Sequence, residues 1–198
     1  MEKFLLVYID DKPEPGLARY LDQVFRSENY NIEYAEITFD PQKGYENLLK
    51  DDKVKSANII IIDSLLFENR TVVNGKFTGE EFKLVLKKLF PFIEVIVITQ
   101  NGTDSEITKV AKYDKSCGKS IDEYYDSILP KLIDEAVSNI QQCRKLAVLV
   151  KQNDSWEVFL KEKILDALNG MNAYEELTKT DIDKLISAFK ELQRNFND

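Results

Sequence analysis

The chain has 198 residues, 35 of them acidic and 27 basic, for a net charge of −8, and it contains no histidine. Its 43% hydrophobic and 31% charged content is that of a globular protein rather than a disordered tail, long enough for one domain with an appendage or two small domains. The acidic balance speaks against wholesale binding to nucleic acid or an anionic membrane, and the lack of histidine excludes Ser-His and Cys-His catalysis, most zinc chemistry and a phosphohistidine carrier role.

The first strand begins within a few residues of Met1, with no basic segment and long apolar run ahead of it, so a cytoplasmic protein without a membrane span is expected. Cys117 and Cys143 are too few for a disulfide frame or a zinc site.

In chain order, Phe4-Leu5-Leu6-Val7-Tyr8-Ile9 runs directly into Asp10-Asp11. An unbroken apolar run closed by carboxylates predicts a strand buried on both faces, with its polar tip at the C-terminal edge of a parallel sheet. Pro13 and Pro15 follow as a loop. The spacing of Leu17, Tyr20, Leu21, Val24 and Phe25 predicts a helix from Gly16 to about Ser27. Asn31 to Thr38 alternates and predicts a strand near an edge, and Tyr45 to Leu49 a short helix. Ile59-Ile60-Ile61-Ile62 runs into Asp63-Ser64 as a second strand buried on both faces.

Residues 71–78, Thr-Val-Val-Asn-Gly-Lys-Phe-Thr, predict a small β-hairpin, because Asn-Gly tolerates the positive φ that a tight turn needs. A helix is expected from about Gly79 to Phe90, stopped by Pro91. Val95-Ile96-Val97-Ile98 then ends in Thr99. A loop over Asn101–Asp104 and a polar helix over Ser105–Lys112 follow, with the last strand expected near Tyr113 to Cys117. From Ile121 to Val150 apolar residues step by three or four, which predicts a long helix kinked or restarted at Pro130. Asp154 with Glu157 resembles a capping box opening a helix that Asn169-Gly170 closes, and Thr180 caps a last one.

Alternating strands and helices imply an α/β fold with a five-stranded parallel, doubly wound sheet. Its strands deliver Asp10, Asp11, Asp63 and Thr99 to one edge, the edge where open α/β sheets bind ligands.

These strand ends, in this order, resemble the receiver domain of two-component response regulators over about residues 3–137, with residues 138–198 as a helical extension. The resemblance implies that Asp63 accepts a phosphoryl group from a histidine kinase or phosphotransfer protein. It implies Mg²⁺ held by Asp10, Asp11, Asp63 and the Leu65 carbonyl, Thr99 as the hydroxyl that turns toward the phosphate, and a lysine that pairs with it. Lys115, which Tyr113-Asp114 would lead into, is favoured for that place, with Lys119, nearer the usual distance from Thr99, as the alternative. Leu65, two residues past Asp63, would slow the loss of the phosphate.

Such a protein is no enzyme beyond self-catalysed phosphoryl transfer and dephosphorylation. The alternative is a degenerate receiver acting as an interaction adaptor without phosphorylation. A small phosphatase is a third class, but the chain lacks a phosphate-cradling G-x-x-x-x-G-K-S/T loop. The extension has neither a basic recognition helix nor a catalytic cluster, so a homodimer through it is expected, with no nucleic acid and no membrane as partners.

Overall fold

The computed structural model describes residues 1–40, 43, 45–66, 78–90, 92–100, 109–152 and 158–169. Five strands form one parallel sheet: β1 (Glu2–Asp10), β2 (Tyr30–Thr38), β3 (Ile59–Asp63), β4 (Glu94–Thr99) and β5 (Lys109–Ala111). Their spatial order is β2-β1-β3-β4-β5, the flavodoxin-like doubly wound order. β1 and β3, in the middle, are the unbroken apolar runs, since a central parallel strand meets helices on both faces. β2 lies at an edge and is half-exposed along most of its length.

Strand alternation sorts the core into two layers. Phe4, Leu6, Tyr8, Ile59, Ile61, Ile96 and Ile98 face one side, packed by Leu17, Tyr20, Tyr125, Leu129 and Ile133. Val7, Ile9, Ile60, Ile62, Val95 and Val97 face the other, packed by Leu48, Val54, Phe82 and Leu86. All of these strand residues are buried.

Several boundaries differ from expectation. The first helix, α1, spans Pro15–Arg19 and passes into a wider π-helical turn over Tyr20–Val24. That turn is closed by the Phe25 N–H on Tyr20 O at 2.8 Å, and it lays Tyr20, Leu21 and Phe25 onto the sheet. The expected helix at Tyr45 is α2 (Tyr45–Lys50). An unforeseen α3 (Asp52–Ser56) follows it, capped by the Asp51 carboxylate on the Lys53 N–H at 2.8 Å. α4 (Gly79–Leu89) starts in a capping box: Thr78 Oγ1 accepts from the Glu81 N–H, and Glu81 returns to the Thr78 N–H.

The last strand is not at Tyr113–Cys117. β5 is Lys109–Ala111, inside the stretch read as a polar helix; residues 105–108 of that stretch lie outside the described residues. Val110 is buried and Ala111 half-buried, which is too little apolar signal to mark a strand. Residues 115–117 instead form a 3₁₀ turn, opened by Asp114 accepting from the Ser116 N–H and ended by Gly118 at φ 72°. A left-handed residue there is best supplied by glycine.

The long helical stripe divides into α5 (Ile121–Asp126) and α6 (Leu129–Gln152). Ser120 and Glu123 form the capping box of α5. Pro130 is the second residue of α6, where its missing N–H has no intrahelical partner to lose. The first half of α6 covers the sheet with Ile133, Ala136, Val137 and Ile140. The helix then continues unbroken past residue 138, and α7 (Val158–Asn169) packs along it. Arg144 holds the middle of α6 to β1: its guanidinium pairs with Glu2 and lies 4.8 Å over the Phe4 ring. Of the hairpin expected over 71–78, Thr78 is instead the N-cap of α4, and residues 71–77, like the cap at Asp154 and the helix after Thr180, lie outside the described residues.

Candidate functional site

The register of the sheet assembles the polar strand ends. Ile9 pairs with Ile62, so Asp10 and Asp63 leave β1 and β3 side by side. Asp63 pairs with Ile98, and Thr99 with Ala111, which puts Thr99 on the same rim and Lys112 directly beyond it. The Lys112 N–H donates to Thr99 O at 2.7 Å and fixes where the side chain departs.

Asp10, Asp11 and Asp63 each present a carboxylate oxygen within 4.8 Å of the others'. Asp10 and Asp63 are buried, as is Thr99, and Asp11 is half-buried. The Lys112 ammonium lies between the two buried carboxylates, 2.9 Å from Asp10 Oδ2 and 2.8 Å from Asp63 Oδ1. Its side chain is 11% exposed, so this pair is screened little by solvent. The contact to Asp63 is a buried ion pair.

Main-chain donors hold both carboxylates. Asp10 Oδ1 accepts the Lys12 N–H at 2.9 Å, and Asp63 Oδ2 accepts the Leu65 N–H at 3.1 Å. Asp10 Oδ2 also accepts the Tyr8 hydroxyl at 2.6 Å.

The electrostatics follow from this. Burial pushes Asp10 toward the neutral form, but Tyr8, Lys112 and the Lys12 N–H outweigh it and hold Asp10 below the usual carboxylate range. Asp63 is raised by burial despite Lys112, and Asp11 is raised by burial and by Asp10 and Asp63. Lys112 loses hydration but is held above its ordinary value by Asp63 and Asp10. Ionised, three carboxylates and one ammonium leave the pocket two negative charges from neutrality, the charge of one divalent cation. An all-oxygen donor set of this kind suits Mg²⁺. Asp10, Asp11 and Asp63 therefore fit such an ion.

Of the residues expected at the site, Asp10, Asp11, Asp63 and Thr99 share the rim. Leu65 is the next turn after Asp63 and half-buried. The lysine is a correction. Lys115 and Lys119 are both exposed: Lys115 sits in the 3₁₀ turn, and Lys119 reaches Ser127 Oγ at 3.4 Å. Lys112 takes the place, because β5 ends at Ala111, not after Tyr113. The signal that could have found it is Val110-Ala111-Lys112, a small apolar step into lysine.

Gly79 closes the site from below. Its N–H donates to Ser64 O at 2.9 Å, and a Cβ there would stand 2.5 Å from Asp63 O. Beside the pocket, Lys12, Pro13, Glu14, Gly16, Tyr113 and Ile121 border an open cavity of about 700 Å³ that Lys112 and Lys115 also line.

No family model matches the chain, and no curated protein matches it. Among solved structures, it is similar to RcsB from Salmonella enterica serovar Typhimurium bound to promoter rprA in the presence of phosphomimetic BeF3⁻. The two are 21% identical over 70% of this chain and 98% of that one, at a TM-score of 0.39. It is also similar to a chain in a structure of two RcsB dimers bound to two parallel DNAs, 19% identical over 93% of each chain, at a TM-score of 0.39.

The expectation that excluded nucleic acid is corrected by these comparisons, since both similar chains are seen in complexes with DNA. The exclusion rested on net charge, and a whole-chain sum does not report the charge of one surface. Among the described residues, no helix is long and apolar enough to cross a membrane.

Proposed function

We propose that this chain is a cytoplasmic phosphorelay signalling protein that accepts a phosphoryl group on Asp63. The observation that carries the reading is the Lys112 ammonium held between Asp10 and Asp63, within a cluster of three carboxylates. A solvated strand end has no reason to bury two carboxylates with one shared lysine, because burying charge is costly without a use for it.

The donor is a phosphohistidine on a histidine kinase or phosphotransfer protein, since this chain has no histidine. An Asp63 oxygen forms the new P–O bond as the bond between phosphorus and the imidazole nitrogen breaks, and that nitrogen keeps the electron pair. Asp10, Asp11 and Asp63 would hold Mg²⁺, which would supply charge neutralisation for the transferring group. Lys112 is the protein's own cation for a phosphoryl oxygen, and Thr99 on the neighbouring strand end is the hydroxyl that meets another. Lys112 exchanges an Asp63 oxygen for a phosphoryl oxygen, which alters its hold on Asp10. That local change shifts how the helices pack or which partner binds. A homodimer through the extension is the assembly we favour, because α6 leaves Leu146, Val148 and Leu149 exposed.

The test is incubation with Mg²⁺ and acetyl phosphate, read by intact mass. Wild type gains one phosphoryl group and Asp63→Ala does not. A wild type that gains nothing, with or without a kinase, would replace this reading with that of a non-phosphorylated adaptor.

A further inference from the structure

Tyr8 lies two residues before Asp10 on β1 and is fully buried between Phe4, Leu6, Leu17 and their neighbours. Phenylalanine would fill that space without the cost of burying a hydroxyl. The hydroxyl is used on both sides: it donates to Asp10 Oδ2 at 2.6 Å and accepts the Glu14 N–H at 3.2 Å. Glu14 in turn meets a second buried tyrosine. The Tyr125 hydroxyl donates to Glu14 Oε2 at 2.7 Å and accepts the Tyr113 N–H at 3.1 Å.

Tyr113 follows Lys112, whose ammonium is 2.9 Å from Asp10 Oδ2. With the Lys112–Tyr113 peptide link, the polar contacts close a ring: Asp10, Tyr8, Glu14, Tyr125, Tyr113, Lys112 and back to Asp10. The ring joins the β1–α1 loop, the end of β5 and the second turn of α5. Neighbouring bonds reinforce it, as the Tyr124 hydroxyl donates to Ala111 O at 2.8 Å and the Tyr113 hydroxyl to Lys119 O at 2.8 Å.

We propose that Tyr8 is a positioning residue for Asp10, and that this ring transmits the state of the acidic pocket to α5 and so to α6. The inference rests on the phosphorelay reading above and adds to it a residue and a route. Tyr8 fixes the plane of the Asp10 carboxylate, so that its oxygens stay turned toward Asp11 and Lys112. A ligand that draws Asp10 or Lys112 away from the other must strain or break one bond of the ring. Tyr125 carries that change into the helix that leads, through Ser127 and Ile128, to α6.

Two substitutions separate the parts. Tyr8→Phe keeps the ring's volume and removes the hydrogen bond to Asp10. Glu14→Ala, on a half-buried loop, keeps the N–H on Tyr8 but cuts the link to Tyr125. Isothermal titration of metal-free protein with Mg²⁺, and amide exchange of residues 121–126 with and without Mg²⁺ plus beryllofluoride, read the two effects.

Tyr8→Phe is expected to weaken Mg²⁺ about tenfold, as loss of an outer-shell partner does, while the metal-free protein still unfolds in one cooperative transition. Glu14→Ala is expected to bind Mg²⁺ within about twofold of wild type while α5 loses its exchange response. Unchanged Mg²⁺ affinity in Tyr8→Phe, or an intact α5 response in Glu14→Ala, overturns the corresponding half. Should Glu14→Ala not fold, Tyr125→Phe cuts the ring at the next bond and is judged the same way. A wild type that takes up no Mg²⁺ would remove the phosphorelay reading and this inference with it. Wild-type uptake with both variants behaving as wild type does overturns this inference alone.

Discussion

Gly79 stands so close to Asp63 that a methyl group on its Cα would lie 2.5 Å from the Asp63 carbonyl oxygen and 2.9 Å from the Ser64 Cα. Both are main-chain atoms and cannot swing aside. The first turn of α4 is thereby seated directly under the end of β3, and the Gly79 N–H on Ser64 O ties the two together.

Gly79→Ala is accordingly expected to cost about 1–3 kcal/mol, the range for forcing extra volume into a packed site. The displaced Asp63 would also respond less to beryllofluoride. Denaturant unfolding and the fluorescence change on beryllofluoride addition measure both. A variant as stable as wild type would show that α4 can retreat freely.

The lysine assignment is tested by three single changes. Lys112→Ala should abolish acetyl phosphate labelling of Asp63 or the response to it, since it removes the cation between Asp10 and Asp63. Lys115→Ala and Lys119→Ala should label and respond as wild type does, both residues being exposed. A normal response in Lys112→Ala alongside a silent Lys115→Ala or Lys119→Ala would reverse the assignment.

Stability should depend on pH and metal in a defined direction. Asp11 and Asp63 are raised in the folded protein, so the folded form binds their protons more tightly than the unfolded chain does. Their share of the stability is therefore lost as pH rises from the ordinary carboxylate range through their raised values. Asp10, which is lowered, acts the other way: its share is present above the ordinary carboxylate range and lost as pH falls through its folded value. At pH 7 without metal, Asp11→Asn should therefore stabilise the protein, by on the order of 1 kcal/mol. With Mg²⁺ at a hundred times its dissociation constant, wild type should gain about 2.7 kcal/mol and overtake the variant. Melting temperatures at pH 5 and 7, with Mg²⁺ or with chelator, check the sign. An Asp11→Asn variant less stable than wild type in chelator would contradict it.

Leu65 donates its N–H to Asp63 Oδ2 and is itself a half-buried apolar residue. An apolar group there cannot orient a water for attack on the phosphate. Leu65→Asn should speed loss of the phosphoryl group severalfold, followed by intact mass after removal of the donor; decay at the wild-type rate would exclude that role.

Much of this arrangement was legible from local sequence, for a physical reason. Strands β1, β3 and β4 are central or nearly so, and burial on both faces demands unbroken apolar runs that end where the sheet meets water. The carboxylates Asp10, Asp11 and Asp63 and the hydroxyl of Thr99 sit at those ends. Parallel pairing then brings such ends together without further information. The start of α4 at Gly79 and the restart at Pro130 are likewise properties of short segments.

β5 and its lysine were not legible, because three residues with Val110 as their buried member carry almost no periodicity. Which lysine enters the pocket depends on the pairing of Thr99 with Ala111, a contact between strands that no local pattern encodes. The same holds for the hydrogen-bonded ring. Tyr8, Glu14 and Tyr125 look like core and loop residues one by one. Tyr8 meets Asp10 two residues along its own strand, but only folding over more than a hundred residues of chain sets the Tyr125 hydroxyl on Glu14, and burial obliges each hydroxyl to find a partner.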